Sequence, residues 1–384
     1  MITRVQIRNI NAIDYCDVDF EKCKYKYLED MIYNDKLVSP IAFYGTNGSG
    51  KSSFFKAIAS LLILLTKGPE DFSVFTPNQL TIYRLATEMY GTREWSNEEL
   101  REVLRRSLSS ILISIELGGR KYEYYIETAT ANYITEEYLS LDGSRVFWRK
   151  ENEYEYKGKR IELEHSLFPT LRKIAKDEIG EKTSVIEVYE FLSNMAFVDA
   201  NKREYLFKAI LEKRYRDVLV EKSDEVVEIL KEYKEFPLYD IFSTTAQDGS
   251  KSYYVNIHTD NDEFLLPYEF ISSGMQNQSV MLSMLLSLPE NSVLFIDEIE
   301  DALHPLTILD FLKVAQEKHI QLIFSSHNTF ILQKLRPDQI FFANWKNGYS
   351  SYKKLADIYP NIREINNIEK MYLSSLFDEE IKNG

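Results

Sequence analysis

The stretch Gly45-Thr46-Asn47-Gly48-Ser49-Gly50-Lys51-Ser52 decides the fold. It fits the pattern G-x-x-x-x-G-K-[ST] in full, and it lies between a short apolar run at 40–44 and an apolar stretch at 52–66. This order predicts a buried strand, a glycine-rich turn and a helix. The glycines let backbone N–H groups turn inward around phosphate oxygens, and the helix start adds the positive end of its dipole. We therefore expect a phosphate-binding loop within an α/β fold.

Two side chains of this loop, called Walker A below, are expected to carry chemistry. Lys51 would neutralise charge on the β- and γ-phosphates of ATP, and the Ser52 hydroxyl would ligate Mg²⁺. ATP and Mg²⁺ are the expected cofactors. The predicted nucleotide-binding residues of the loop are Gly45, Thr46, Asn47, Gly48, Ser49, Gly50, Lys51, Ser52 and Ser53.

A second apolar strand, at 291–296, delivers two acids at its carboxyl end. Asp297 would hold Mg²⁺ through water, and Glu298 would orient or polarise the attacking water, since phosphoryl transfer depends on positioning and charge neutralisation. An acid pair after an apolar strand also suits an ordinary strand end or turn. Its combination with Walker A favours the catalytic interpretation, and we call this segment Walker B.

Two further elements indicate the type of ATPase. Ile271-Ser272-Ser273-Gly274-Met275-Gln276 resembles the ABC signature L-S-G-G-Q at Ser272 and Gly274, although Ser273 stands where glycine is commoner. A helix N-terminus with an exposed hydroxyl suits a γ-phosphate on the opposite subunit, but Ser-Ser-Gly is also an ordinary helix cap. His327 ends an apolar strand at 321–326 and stands at the position of the switch histidine, which contacts the γ-phosphate from the same subunit. A lone histidine is otherwise more often structural.

Two positions stay open. His304 falls where the D-loop of such ATPases crosses between subunits, and it is either a ligand of the second site or an interface or helix-cap residue. Gln79 follows the Walker A helix, and it is either the lid contact to Mg²⁺ or an ordinary loop glutamine.

Composition and charge limit the location and the partners. The formal net charge of −14 argues against coating nucleic acid through overall positive potential. Local basic grooves at 101–106 and 213–216 stay open beside the alternative of solvated helix faces. The first residues run directly into a strand pattern instead of a signal peptide, and the most apolar stretch, 57–65, is shorter than the about 20 residues that cross a membrane. A cytoplasmic protein with no membrane partner is expected.

The remaining chain divides by its periodicity. Alternation over 110–157 predicts an antiparallel meander, helical spacing dominates 162–235, and strands alternate with helices in the last third. The predicted fold class is α/β: an ABC-ATPase head, made of a parallel phosphate-loop sheet plus an antiparallel β meander, with a helical insertion. The predicted domains are 1–70 with Walker A, 71–157 with linker helices and the meander, 158–264 as a mainly helical insertion, and 265–384 with the signature, Walker B and the switch histidine.

The order of these motifs resembles that of ABC-type ATPases outside transport. Within that group the chain is similar to the ATPases of bacterial phage-defence and abortive-infection operons, the Rlo-type and AbiL-type relatives of the overcoming-lysogenization-defect (OLD) ATPases. The segments that carry this resemblance are 297–305, 321–328 and 336–340. OLD nucleases continue into a Toprim nuclease domain, but the chain after His327 has no further acid-rich strand–helix pattern. The insertion is also short for the coiled-coil arms of chromosome-condensing relatives.

The resemblance implies an ATPase that works as a homo-oligomer, a dimer or higher, with ATP between subunits. Each composite site would combine residues of one subunit with Ser272 and Gly274 of the other; the first set is Lys51, Ser52, Asp297, Glu298 and His327. The implied role is a regulatory or sensor subunit of an anti-phage defence complex. It would control a separate effector protein, a nuclease, with nucleic acid reached through that effector or a local basic groove.

Two other functions compete with this one. The alternative is a DNA-repair or DNA-maintenance ATPase of the SMC-like class that clamps DNA, whereas a transporter's energy subunit is hard to reconcile with the insertion. The separate effector would dock on the insertion or on the meander. Aromatic residues over 187–216 either form that docking face or pack in the core.

Overall fold

The computed structural model describes residues 1–33, 36–66, 79–92, 94–129, 133–163, 168–206, 215–232, 238–259, 261–363 and 366–374. The chain divides into two compact units. The first unit comprises Met1–Ser193 and Leu335–Gly384, and the second comprises Asn194–Lys334. The predicted stop of the Walker A helix at 67–69 and half of the basic stretch 213–216 lie outside the described residues.

The described strands and helices are numbered along the chain. The strands are β1 (Ile2–Ile10), β2 (Ile13–Asp19), β3 (Ile32–Tyr33), β4 (Leu37–Val38), β5 (Ile41–Tyr44), β6 (Ser109–Leu117), β7 (Arg120–Ala129), β8 (Tyr133–Leu141), β9 (Ser144–Lys150), β10 (Glu153–Tyr156), β11 (Lys159–Glu162), β12 (Ala196–Asp199), β13 (Glu204–Leu206), β14 (Leu238–Thr245), β15 (Lys251–His258), β16 (Glu263–Pro267), β17 (Val293–Asp297), β18 (Gln321–Ser325), β19 (Ile340–Lys346) and β20 (Tyr349–Lys354). The helices are α1 (Lys51–Thr66), α2 (Gln79–Tyr90), α3 (Asn97–Arg106), α4 (Thr170–Asp177), α5 (Ser184–Ser193), α6 (Tyr215–Glu221), α7 (Ser223–Glu232), α8 (Ser273–Ser287), α9 (Ile299–Ala302), α10 (Pro305–Glu317), α11 (Leu355–Ile358) and α12 (Ile368–Leu373). Among the described residues, no helix combines the length and the apolar character needed to cross a bilayer.

The predicted meander is an antiparallel sheet of the first unit, in the order β11-β10-β9-β8-β7-β6-β1-β2. Apolar side chains alternate along β6 and β7, so that one face of these strands is buried. The N-terminal hairpin β1–β2 extends the sheet beyond the predicted range through pairing of β1 with β6. The expectation of an α/β fold with an antiparallel meander is therefore confirmed.

Walker A lies in a second layer of the same unit. Strand β5 pairs in parallel with β19, and β19 pairs antiparallel with β20. All four residues of β5 are buried, as its apolar run predicts. The ring of Phe43 on this strand stacks against Phe54 of α1 and Phe341 of β19. This aromatic packing fixes the strand and the helix between which the loop lies.

The segment Arg336 to Ile340 carries part of the family resemblance, and its contacts are structural. Arg336 and Asp338 form a fully buried ion pair at 2.9 Å. The Arg336 guanidinium also donates to the carbonyl oxygen of Tyr27 at 2.7 Å, and Asp338 accepts from the backbone N–H of Cys23 at 2.7 Å. The pair thus supplies hydrogen-bond partners to a backbone segment that has no strand or helix of its own.

The second unit holds the parallel strands that follow the insertion. Strands β12, β17 and β18 pair in parallel, and β13 pairs antiparallel with β12. A separate antiparallel sheet has the order β14-β15-β16. Helical spacing over 162–235 predicts helices, yet β12 lies within this range beside β17. Its four buried residues form a short apolar run, and such a run does not distinguish a strand from a buried helix by its periodicity.

Candidate functional site

Walker A is a tight loop between β5 and α1. The backbone N–H of Ser49 donates to the carbonyl oxygen of Thr46 at 3.1 Å, and Ser53 donates to that of Gly50 at 2.9 Å. Lys51 opens the helix and is 5% exposed. Its Nζ donates to the carbonyl oxygen of Gly45 at 2.9 Å, so the ammonium group is held within the loop.

Two glycines of the loop tolerate no side chain. Gly50 has a φ of +97°, and a Cβ atom built there would lie 1.8 Å from Oγ of Ser350. A Cβ on Gly45 would lie 2.3 Å from the carbonyl oxygen of Ala343. Gly45 therefore lies directly against the backbone of β19, and Gly50 lies directly against the Ser350 side chain of β20, closer than a residue with a side chain allows.

Walker B lies in the second unit, at the carboxyl end of β17. Asp297 is 3% exposed, and its Oδ1 accepts a 2.5 Å hydrogen bond from Oγ of Ser325. The same oxygen of Ser325 accepts a 2.8 Å bond from the backbone N–H of Glu298. Parallel pairing of β17 with β18 places Ser325 beside Asp297, so one hydroxyl holds both acidic residues of the motif.

Glu298 has a left-handed backbone, with φ 58° and ψ 59°. This conformation is strained for a residue with a side chain, and such strain clusters at functional sites. The Glu298 carboxylate accepts a 2.7 Å hydrogen bond from Nδ2 of Asn201, which follows β12. Neither Asn201 nor the bridging role of Ser325 belongs to a motif of the sequence. The polar ends of two neighbouring parallel strands are the signal that could have revealed them.

The residues after Glu298 continue this acidic cluster toward the switch histidine. Glu300 accepts a hydrogen bond from the backbone N–H of His327, whose side chain is exposed. Burial raises the pKa of the Asp301 carboxyl, and the negative charges of Glu298 and Glu300 raise it further. The second unit therefore holds the backbone of His327 beside Glu300, in the segment that follows Asp297 and Glu298, and a contact of the His327 side chain with a γ-phosphate stays a prediction.

The signature segment starts α8 in the same unit. Ser272 is the N-cap, and its hydroxyl accepts from the backbone N–H of Met275 at 3.2 Å. Ser272 and Gly274 are exposed at the start of the helix. Asn277 lies one turn further along and donates to the carbonyl oxygen of Asp301 at 3.3 Å, which ties this helix to the acidic cluster. Ser272 thus caps a helix, and its contact with a γ-phosphate stays a prediction.

His304 and Gln79, whose roles the sequence leaves open, both lie at the start of a helix. His304 is the N-cap residue of α10, where its side chain makes no capping bond, and exposed Gln79 begins α2. Neither result tests a contact with nucleotide or metal.

In the part of the chain that the structure describes, two arginines of the basic stretches form ion pairs, and two of the aromatic residues are buried. Arg106 pairs with Glu102 on α3, and Arg216 pairs with Glu269. Of the aromatic residues considered for docking, Phe191 and Phe197 are buried, whereas Phe207 and the Tyr215 side chain lie outside the described parts. These contacts favour solvated helix faces and core packing over a groove or a docking face.

Comparison with protein families identifies the chain. The model of the family described as "AAA domain, putative AbiEii toxin, Type IV TA system" matches residues 41–333, which is more than half of the chain. The chain belongs to this AAA-domain family. Walker A, the signature segment and Walker B of the AAA domain all fall inside the matched range, as does His327. The chain is therefore a P-loop ATPase domain of the AAA/ABC-like type.

Solved structures of low similarity include heads of SMC proteins. The SMC head bound to the C-winged helix domain of ScpA has 13% identity and a TM-score of 0.45, with 92% of this chain and 97% of that chain covered. The SMC head domain from Thermotoga maritima has 13% identity and a TM-score of 0.44, with 92% and 98% covered. A Pyrococcus furiosus SMC head with an extended coiled coil, bound to the C-terminal domain of ScpA, has 12% identity and a TM-score of 0.39, with 99% of each chain covered. No curated protein matches the sequence.

Proposed function

We propose that this protein binds ATP with Mg²⁺ and hydrolyses it. The observation that carries the proposal is the pairing of a strained, hydrogen-bonded Glu298 with the buried Asp297 through Ser325. A carboxylate held in this way is suited to orient a water molecule, since phosphoryl transfer depends on positioning. Walker A supports the same function, because its lysine ammonium is already held inside a loop in which Gly45 and Gly50 admit no side chain.

The proposed roles follow the chemistry of each group. Lys51 and the backbone N–H groups of Walker A bind the β- and γ-phosphates. The hydroxyl of Ser52 and the carboxylate of Asp297 are oxygen donors, the type that Mg²⁺ prefers, and the ion would neutralise phosphate charge. Glu298 orients the attacking water, and His327 contacts the γ-phosphate.

We further propose that ATP is bound between two copies of the chain. Ser272 and Gly274 are exposed at the start of a 15-residue helix, where the helix dipole favours an anion. The test mixes Lys51→Ala subunits with Ser272→Arg subunits, each inactive alone. A mixed dimer would regain one intact site, so ATPase activity should return after subunit exchange. If no mixture recovers activity, the composite site is wrong.

The proposed biological role is that of a cytoplasmic regulatory or sensor subunit of an anti-phage defence complex. The family description names a type IV toxin–antitoxin system, which supports a role in a phage-defence or abortive-infection operon. A separate effector protein, a nuclease, would carry the damaging chemistry. The test incubates the purified chain with ATP, Mg²⁺, plasmid DNA and tRNA, before and after its native partners are added. Cleavage by the chain alone, abolished by Glu298→Gln, would make this protein its own effector and overturn the proposal.

A further inference from the structure

Strand β20 presents two side chains to Walker A. Ser350 and Tyr352 are two residues apart, so they lie on the same face of the strand. The Tyr352 hydroxyl donates a 2.6 Å hydrogen bond to the carbonyl oxygen of Gly50. Ser350 Oγ lies 1.8 Å from the place where a Cβ of Gly50 would stand. The backbone of Gly50, the residue before Lys51, is therefore packed directly against β20.

The ring of Tyr352 contacts both elements that flank the loop. Its centroid lies 5.9 Å from that of Phe43 on β5 and 5.8 Å from that of Phe54 on α1. One residue thus contacts the strand before Walker A, the loop itself and the helix after it. The hydroxyl group is the only part of Tyr352 that a phenylalanine would not reproduce.

We propose that Tyr352 is a positioning residue that holds the peptide unit between Gly50 and Lys51 in the orientation that receives phosphate. A planar trans peptide directs its carbonyl and its N–H in opposite directions. A hydrogen bond from Tyr352 to the Gly50 carbonyl therefore keeps the Lys51 N–H turned the other way. If this peptide rotated, it would present a carbonyl oxygen to the phosphate oxygens and repel them. The inference rests on the proposed ATP-binding function.

The expected effect is moderate, because the Gly50 carbonyl also accepts from the backbone N–H of Ser53 at 2.9 Å. Loss of one of two hydrogen bonds should not unfold the loop. Tyr352→Phe should weaken binding of ATP by about two- to tenfold, the range expected for one hydrogen bond. Inorganic tripolyphosphate should be weakened by a similar factor, because the peptide faces the phosphate chain. KM for ATP should rise accordingly, and kcat should stay within about twofold.

The same strand offers a matched control in Tyr349, which lies on its other face. Its hydroxyl is buried and has no hydrogen-bond partner among the described residues, and its ring lies under the Arg84 guanidinium. Tyr349→Phe removes an equivalent atom and should leave the affinity for ATP unchanged. Melting temperatures of both variants show whether either substitution acts through folding.

The experiment titrates wild-type protein, Tyr352→Phe and Tyr349→Phe with ATP–Mg²⁺ and with tripolyphosphate by calorimetry. Weaker binding of both ligands by Tyr352→Phe alone supports the positioning role. An unchanged affinity in Tyr352→Phe, with or without a lower melting temperature, overturns it and leaves ATP binding intact. Failure of the wild-type protein to bind ATP would instead overturn the proposed function, and this inference with it.

Discussion

Asn201 donates a 2.7 Å hydrogen bond from Nδ2 to Oε2 of Glu298, across 97 positions of the sequence. The bond exists because β12 and β17 are parallel neighbours, with Asp199 paired to Asp297. Both strands therefore end at the same edge of the sheet. The side chain of the proposed catalytic acid is thereby oriented by a residue of the insertion.

Asn201→Ala should lower kcat for ATP hydrolysis by about tenfold, because one hydrogen bond that orients Glu298 is lost. KM should stay close to the wild-type value, since Asn201 is not expected to contact the nucleotide. Steady-state kinetics over a range of ATP concentrations separates the two constants. Lys202→Ala is the control, because that neighbouring side chain is directed to Asp199. Equal losses in the two variants would argue against a specific role for Asn201.

The left-handed backbone of Glu298 predicts that glycine is a more stable replacement at this position than alanine. Its φ of 58° favours glycine, and alanine would keep the strain while removing the same side-chain contacts. Glu298→Gly should therefore be more stable than Glu298→Ala by about 1 kcal/mol in urea unfolding. Both variants should lose hydrolysis. Equal stability of the two would contradict the left-handed backbone.

The buried pair of Arg336 and Asp338 predicts a large single-site effect on folding. Arg336→Met leaves the Asp338 carboxylate buried without its cation and should lower the free energy of unfolding by about 3–5 kcal/mol. Arg106→Met breaks an exposed pair on α3 and should cost less than about 1 kcal/mol. Urea unfolding of both variants checks this ranking. Similar losses would mean that the buried pair contributes little.

Walker A and Walker B could be predicted because each is a contiguous pattern that needs no knowledge of the tertiary fold. Asn201, Ser325 and Tyr352 could not be predicted in the same way. Each acts on its motif from another strand, and the order and register of strands distant in sequence were unknown. The strand β12 could not be predicted either, because its short apolar run lies in a region whose apolar residues have helical spacing.

His258 predicts how the stability of the second unit depends on pH. Its Nε2 lies 2.7 Å from Asp240 on β14, and its Nδ1 lies 3.2 Å from Glu263 on β16. The hydrogen bond with Asp240 is the main cause that raises the pKa of His258 above its ordinary value. A raised pKa in the folded state stabilises the protein below the unfolded value of about 6.5, and this contribution is lost as pH rises through the folded pKa.

His258→Asn should therefore lower the melting temperature at about pH 5.5 to 6, below the unfolded-state pKa of about 6.5. It should have little effect at about pH 9, where the imidazole is neutral. The free energy of unfolding should fall by only about 0.3 kcal/mol, because the ion pair of His258 with Asp240 is partly exposed. Thermal unfolding across this pH range checks the sign. A deficit that grows with rising pH would show that the ion pairs do not stabilise the three strands.

The proposed ATPase activity is tested by measuring ATP turnover by the wild-type protein and by Glu298→Gln, with ATP binding measured in parallel. The wild-type protein should hydrolyse ATP in a Mg²⁺-dependent reaction. Glu298→Gln should bind ATP normally and turn over about 10²–10³ times more slowly, the scale of losing one catalytic group. Lys51→Ala is the companion variant and should lose nucleotide binding. Equal turnover by the wild-type protein and Glu298→Gln would contradict the assignment of Glu298 as the residue that activates water.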